Sequence, residues 1–303
     1  MDAYVAGHLS AERPPNLSSL SPELSAAIAQ LRSRSSDEFL SRLEDRKKKE
    51  RNWANFSRDR EHLRPSQATE QESRSNARWY STTQLSAEYR ISWLAKHIAG
   101  RIVLDYACGD GAETLRAAKM GAALAMGIDV SDISIQNAMQ VANREGLSER
   151  CVFLEGDCEA TGLPDNSIDV ILCCGMLHHL DLARAYPEMQ RILKPGGRVF
   201  AQEALNYNPI IKLYRQLTPQ LRTEWEKEHI LSLKDVRAAQ NFFDIGEVRY
   251  WHLTSVLGAC ARSVPSLLRV ISPVLNGVDR LVLSIPGLRL MAWQFTFELI
   301  KRG

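Results

Sequence analysis

Through the middle of this 303-residue chain, short apolar runs alternate with stretches whose apolar positions recur every three or four residues. The runs predict strands at 101–105, 124–129, 151–155, 168–173 and 197–203. The periodic stretches predict helices at 113–120, 132–145 and about 181–193. Alternating strands and helices of this length imply a parallel sheet covered on both faces. Near the C-terminus, Trp293, Phe295, Phe297 and Leu299 alternate with Gln294, Thr296 and Glu298, the period of a strand, and a further strand is expected around Val248 to Leu253. Between these two lies a segment, 256–291, rich in Leu, Val and Ile and interrupted by Pro265, Pro273 and Pro286. Its longest uncharged runs, Val270 to Val278 and Leu281 to Leu288, fall short of the about 20 residues a membrane-spanning helix needs. At the other end, residues 1–22 are rich in Pro and Ser and read as a loosely packed lead-in. A helix follows at Pro22 to Ser33 with Leu24, Ile28 and Leu31 on one face, then a second at Asp37 to Arg51 with Phe39, Leu40 and Leu43 as its apolar side.

Composition narrows this picture only slightly. A hydrophobic content of 45%, a charged content of 24% and a net charge of +2 are those of an ordinary globular protein, and give no general reason to expect nucleic acid as partner. The six cysteines include no C-x-x-C pair and no metal-ligand spacing, so no metal site is expected and a reducing, cytoplasmic setting is the simplest. No secretory signal is evident in Met1 to Leu9. Residues 42–64 hold nine Lys/Arg against five Asp/Glu, a run that reads as a solvated helix face, while Trp53 and Phe56 beside it point to packing against the rest of the chain.

The chemistry concentrates in Val103-Leu104-Asp105-Tyr106-Ala107-Cys108-Gly109-Asp110-Gly111. A strand enters an acidic, glycine-bearing turn, where absent Cβ atoms let backbone N–H groups approach a ligand. The next strand ends in Asp129, 18 residues past Gly111, placed to accept both hydroxyls of a ribose. The turn reads A-x-G-x-G, not the G-x-G-x-x-G of dinucleotide sites, and Asp105 would repel a pyrophosphate but suit an ammonium.

With Gly156-Asp157-Cys158-Glu159-Ala160, Leu163-Pro164-Asp165-Asn166-Ser167-Ile168-Asp169, Leu177-His178-His179-Leu180 and Ile192-Leu193-Lys194-Pro195-Gly196-Gly197-Arg198, the chain resembles the class I S-adenosylmethionine-dependent methyltransferases of small-molecule type over about residues 79–210. The resemblance implies an α/β fold: a Rossmann-like, seven-stranded, mostly parallel sheet with an antiparallel final strand. To this the chain adds an N-terminal helical extension, partly disordered (1–78), and a helical insertion before the last strand. Within 79–303 the core would be 101–203, a substrate-side cover 204–245 and the insertion 256–291. The implied cofactor is S-adenosylmethionine, leaving as S-adenosylhomocysteine. Asp105 would hold its ammonium over a floor of Ala107, Gly109 and Gly111, where Ala107 replaces a more usual glycine. Asp129 with Val130 would bind the ribose, Asp157 and Cys158 the adenine, and Cys174 would complete the cofactor cleft. Catalytic candidates are His178, Glu203 and Tyr80, since a nucleophile losing a proton needs a base past the fourth or fifth strand or on an element folding over the pocket. The expected acceptor is a small, lipophilic or secondary metabolite, with peripheral membrane contact as a further expectation from the apolar insertion. An RNA or protein methyltransferase, or a cofactor-binding assembly protein without activity, are the alternatives; the basic run favours a macromolecular acceptor, but no RNA-binding module is present.

Overall fold

The computed structural model describes residues 20–59, 79, 82–261 and 264–303. Seven strands form one sheet in the order β3-β2-β1-β4-β5-β7-β6. They are β1 (Ile102–Tyr106), β2 (Leu124–Asp129), β3 (Cys151–Glu155), β4 (Ile168–Cys174), β5 (Leu193–Ala204), β6 (Phe243–Trp251) and β7 (Gln294–Lys301). The first five are mutually parallel, and β7 runs antiparallel to both β5 and β6, as the sequence predicts. The fifth strand starts four residues earlier than expected because Leu193 already pairs with Ile168 before the register shifts.

Both faces of the sheet are covered, and this is why the central strands are apolar without interruption. Val103, Ala125, Phe153, Leu172 and Phe200 pack into one core, and their neighbours Leu104, Met126, Leu154, Cys173 and Ala201 into the other. In β7 the alternating polar residues Gln294 and Thr296 are buried too, lying between β5 and β6. Their burial is compensated: Gln202 donates to Gln294 at 3.0 Å, Trp251 donates to Thr296 at 3.0 Å, and Ser86 joins Gln202 to the His252 ring.

The described N-terminal residues form α1 (Pro22–Ser33), α2 (Ser36–Arg42) and α3 (Asp45–Arg58). α1 docks Leu24 and Ile28 into the core against β3, as its apolar face predicts. The single helix expected at 37–51 is instead two. Leu43 and Glu44 adopt extended backbone, which turns the chain and buries Leu43. Helix α4 (Gln84–His97) leads into β1, and α5 (Ala112–Lys119), α6 (Asp132–Arg144) and α7 (Leu182–Ile192) connect the strands. After β5 come α8 (Pro209–Leu217), α9 (Glu224–Glu228) and α10 (Leu233–Ala239). The insertion is helical as expected, but Pro273 does not break it: α11 runs from Pro265 to Val282 with Pro273 inside.

Candidate active site

Strands β1, β2 and β5 carry a carboxylate near their carboxyl ends and Asp157 follows β3, each with a defined set of donors. At the end of β1, Asp105 is buried and accepts from the Thr114 amide at 3.0 Å and the Thr114 hydroxyl at 2.9 Å. Burial pushes its carboxyl up to about 7, with the charges of Glu113 and Asp129 adding to the effect against the two Thr114 hydrogen bonds. The turn that follows needs left-handed backbone at Ala107 (φ 50°), Gly109 (φ 53°) and Gly111 (φ 77°). Two are glycine. Ala107 holds this conformation at a cost of about 1–2 kcal/mol. Beneath the turn, the Tyr106 hydroxyl donates to the Cys158 carbonyl, tying β1 to the loop after β3.

Asp129, at the end of β2, accepts from the Gly109 amide at 2.8 Å through one oxygen and from the Ser131 amide at 2.9 Å through the other. Asp157, after β3, accepts from the Glu159 amide at 2.8 Å. Ala107, Asp129, Val130, Asp157, Cys158 and Cys174 all line one cavity of about 210 Å³. Asp105, Gly109 and Gly111 do not line it: Asp105 lies under the turn, and the Arg58 guanidinium covers Gly109.

The opposite wall of this cavity is α3, including Trp53. Its basic residues are not a solvated face, contrary to the expectation from composition. Lys47, Arg51 and Arg58 fall at i, i+4 and i+11 on one side of the helix, and Lys47 and Arg51 are buried. The Lys47 ammonium lies 2.6 Å from Asp157 and 2.8 Å from Glu159, and Arg46 also pairs with Glu159. Burial lowers the Lys47 pKa, but these two carboxylates outweigh it and the net shift is upward. Arg51 reaches Asp132 at 2.8 Å and Glu155 at 3.2 Å, and Arg58 lies 3.7 Å from Asp129. The attraction of acidic strand tips for these cations is what pulls the helix inward. Phe56 is 76% exposed and takes no part in the packing expected of it, whereas Trp53 does.

Past β4, a 3₁₀ turn spans Leu177–His179. Glu203, fully buried near the end of β5, accepts from the amides of Met176 and Leu177 at 2.8 and 2.7 Å and meets His178 Nδ1 at 2.7 Å. Burial pulls the His178 pKa down, but the charge and hydrogen bond of Glu203, with Glu226 beyond, outweigh it, and the imidazole lies above the ordinary histidine value. The other ring nitrogen, Nε2, faces Glu226 at 3.9 Å, which is held by Arg215 at 3.0 Å and Arg222 at 3.6 Å. His179 lines the cavity and engages Glu50 of α3 at 2.9 Å. His178, His179 and Glu226 bring ligand-type atoms within 4.8 Å of one another. Arg215 and Arg222 hold Glu226, and Glu203 and Glu50 hold the Nδ1 atoms of His178 and His179. Tyr80 lies outside the described residues; its neighbour Trp79 meets Tyr214 of α8 edge-on, ring centroids 5.7 Å apart. Sequence reasoning missed Lys47, Arg58, Glu50 and Glu226. For the α3 cations, the four-residue spacing of Lys47 and Arg51 beside Trp53 was the available signal.

At Asp129 the geometry leaves room for a nucleoside. Each oxygen of Asp129 has spent one of two acceptor positions, so two remain for ribose hydroxyls. Residues 104–201 match the methyltransferase domain family. That match spans about a third of the chain, and the sheet order, the glycine turn and the strand-tip acids are similar to those of class I S-adenosylmethionine-dependent methyltransferases.

Among curated relatives, a sterol 24-C-methyltransferase of Aspergillus fumigatus is 38% identical over 99 residues, covering 32% of this chain and 26% of its own. A 27-O-demethylrifamycin SV methyltransferase of Amycolatopsis mediterranei is 31% identical over 120 residues, covering 39% of this chain and 43% of its own. The chain thus spans less than half the length of either. A solved geranyl diphosphate C-methyltransferase from Streptomyces coelicolor superposes with a TM-score of 0.53 over 71% of this chain and 78% of its own, at 17% identity, a likeness of fold.

Proposed function

We propose that the protein transfers the methyl group of S-adenosylmethionine to a small, lipophilic acceptor. The observation that carries the reading is the placement of Asp105, Asp129 and Asp157 at the tips of successive strands around the Ala107–Gly111 turn. In this reading Asp129 receives the ribose hydroxyls, Asp157 and the Cys158 backbone the adenine edge, and Asp105 the ammonium. The cofactor supplies an electrophilic methyl on sulfur, and the chain aligns it with the acceptor, a contribution of about 7–11 kcal/mol when orientation is complete. The acceptor would enter beside Met176 and His178, beneath α8 and α9. His178, held by Glu203 through Nδ1, would take the acceptor's proton at Nε2, which makes His178 the catalytic residue and Glu203 its positioning partner. A lipophilic acceptor is supported by the names of the sterol and rifamycin relatives and by the apolar insertion.

Two measurements test the proposal. Calorimetry with S-adenosylhomocysteine should give saturable binding that Asp129→Ala weakens; unchanged affinity would remove the ribose role. Incubation with methyl-labelled cofactor and a metabolite extract should label a small apolar product. Tight cofactor binding with no labelled product from any extract or protein fraction would favour a cofactor-binding assembly protein instead.

A further inference from the structure

The insertion that closes the sheet presents an apolar face to solvent. In α11, Leu268 and Leu275 turn inward against Gly258, and Asp279 is buried, accepting from the amides of Leu253, Thr254 and Ser255. The opposite side carries Leu267, Val270, Val274, Val278 and Leu281 at intervals of three and four residues, a continuous stripe; Val270 is 70% exposed, Val274 65% and Leu281 73%. Ile285 and Leu288 extend the stripe past the helix end. Helix α8 repeats the pattern with Ile210, Leu213 and Leu217, all exposed. Its first turn is fastened to the insertion, because the Asn208 side chain that caps it also donates to the Met291 carbonyl at 2.6 Å. Both segments leave the sheet at the carboxyl end of β5 and β6, where Ala204 and Trp251 pair with Gln294.

The charge around the stripe has one sign. Between residues 264 and 293 the exposed charged side chains are Arg269, Arg280 and Arg289. Among the described residues none of the three meets a carboxylate; Arg289 lies over the Tyr250 ring at 5.2 Å. Arg280 and Arg289 border, with Arg249 and His252, a cavity of about 380 Å³ at the root of α11. No helix among the described residues is long and apolar enough to cross a membrane.

We propose that the α11 stripe, with the adjoining face of α8, docks on an anionic phospholipid bilayer. The helices lie in the interface with their aliphatic residues among the acyl chains, and Arg269, Arg280 and Arg289 meet phosphate headgroups. A protein partner of ordinary composition would leave three arginines facing an apolar rim, whereas a leaflet of anionic lipid supplies apolar depth and negative charge at once. The proposal does not rest on methyl transfer, and its test does not read activity.

The full chain is sedimented with vesicles of phosphatidylcholine alone or mixed with phosphatidylglycerol, at several salt concentrations. Binding should require phosphatidylglycerol and fall as salt rises. Val270→Asp with Val274→Asp should abolish it. Arg269→Gln with Arg280→Gln should weaken it about 30-fold, about fivefold for each charge near the surface. All four side chains are exposed, and unchanged thermal unfolding confirms that the variants fold. Failure to pellet with either vesicle, or pelleting that the aspartates leave intact, overturns the proposal. So does vesicle-free self-association that the aspartates abolish, since the stripe would then be covered by a second copy of the chain.

Discussion

Cofactor affinity should depend on pH through Asp105. Burial and the charge of Glu113 disfavour the anion and hold this carboxyl at about 7. If it receives the cofactor ammonium, binding selects the carboxylate, and the apparent Kd is raised by the factor 1 + 10^(pKa − pH). That factor is about 11 at pH 6 and about 1.3 at pH 7.5, so affinity should rise about eightfold over this interval. A cofactor α-amino group with a pKa of about 8 stays largely protonated throughout. Neighbouring groups are poor alternative sources. Burial pushes the Cys108 and Cys174 thiols well above neutrality. Isothermal calorimetry with S-adenosylhomocysteine measures the slope, with 5′-methylthioadenosine, which lacks the amino group, as control. Asp105→Asn keeps an acceptor for the Thr114 amide and hydroxyl but removes the charge. It should weaken the amino-bearing ligand about 10- to 150-fold, the worth of a hydrogen bond to a charged group, and flatten its pH dependence. A flat wild-type profile, or an equal slope with 5′-methylthioadenosine, would refute the ammonium role.

Three further outcomes are expected. If His178 is the base, kcat/KM for the acceptor should rise with pH through an apparent pKa above 6.5, Glu203→Gln should shift that pKa down, and His178→Ala should lower turnover about 10²- to 10⁴-fold; a profile unmoved by Glu203→Gln would remove the pairing. Buried His252 has its pKa lowered by desolvation to about 4, so the folded state takes up this proton later than the unfolded one. The stability it contributes is complete above pH 6.5 and lost as pH falls toward 4, about 3 kcal/mol in all; denaturant titrations at pH 7 and 4.5 should show the loss, smaller in His252→Gln. Lys47→Met removes the cation shared by Asp157 and Glu159 and should lower the melting temperature measurably at pH 7.5; an unchanged melting curve would show the pair to be dispensable.

The central architecture was legible because its physics is local. Strands buried on both faces must be apolar along their length, and a turn that needs left-handed backbone advertises itself through Gly109 and Gly111. The acids at 105, 129 and 157 follow from the same register, each one strand further on. Helix α3 was not legible, because what orders it is electrostatic and distant. Lys47 and Asp157 are 110 residues apart, and nothing in the spacing of the basic run names its partners. The break at Leu43 was hidden for a related reason: the periodicity continues through it, and only the burial of Leu43 requires the chain to turn. Pro273 misled in the opposite direction, since packing of Leu275, Asp279 and Leu283 carries α11 past a residue that would stop an isolated helix. Of the two adjacent histidines the sequence reading singled out His178; Glu203 holds it, while Glu50 holds His179, the one that lines the cavity.

The cations of α3 also bear on where this domain begins. The match to the methyltransferase domain family starts at residue 104, yet Asp129, Asp132, Glu155, Asp157 and Glu159 draw their neutralising charges from residues 46 to 58. A fragment cut after residue 78 would keep every strand and still leave five clustered acids repelling one another at the rim of the sheet. The acids at the sheet rim and the cations of α3 therefore form one electrostatic unit, larger than the segment the family match covers.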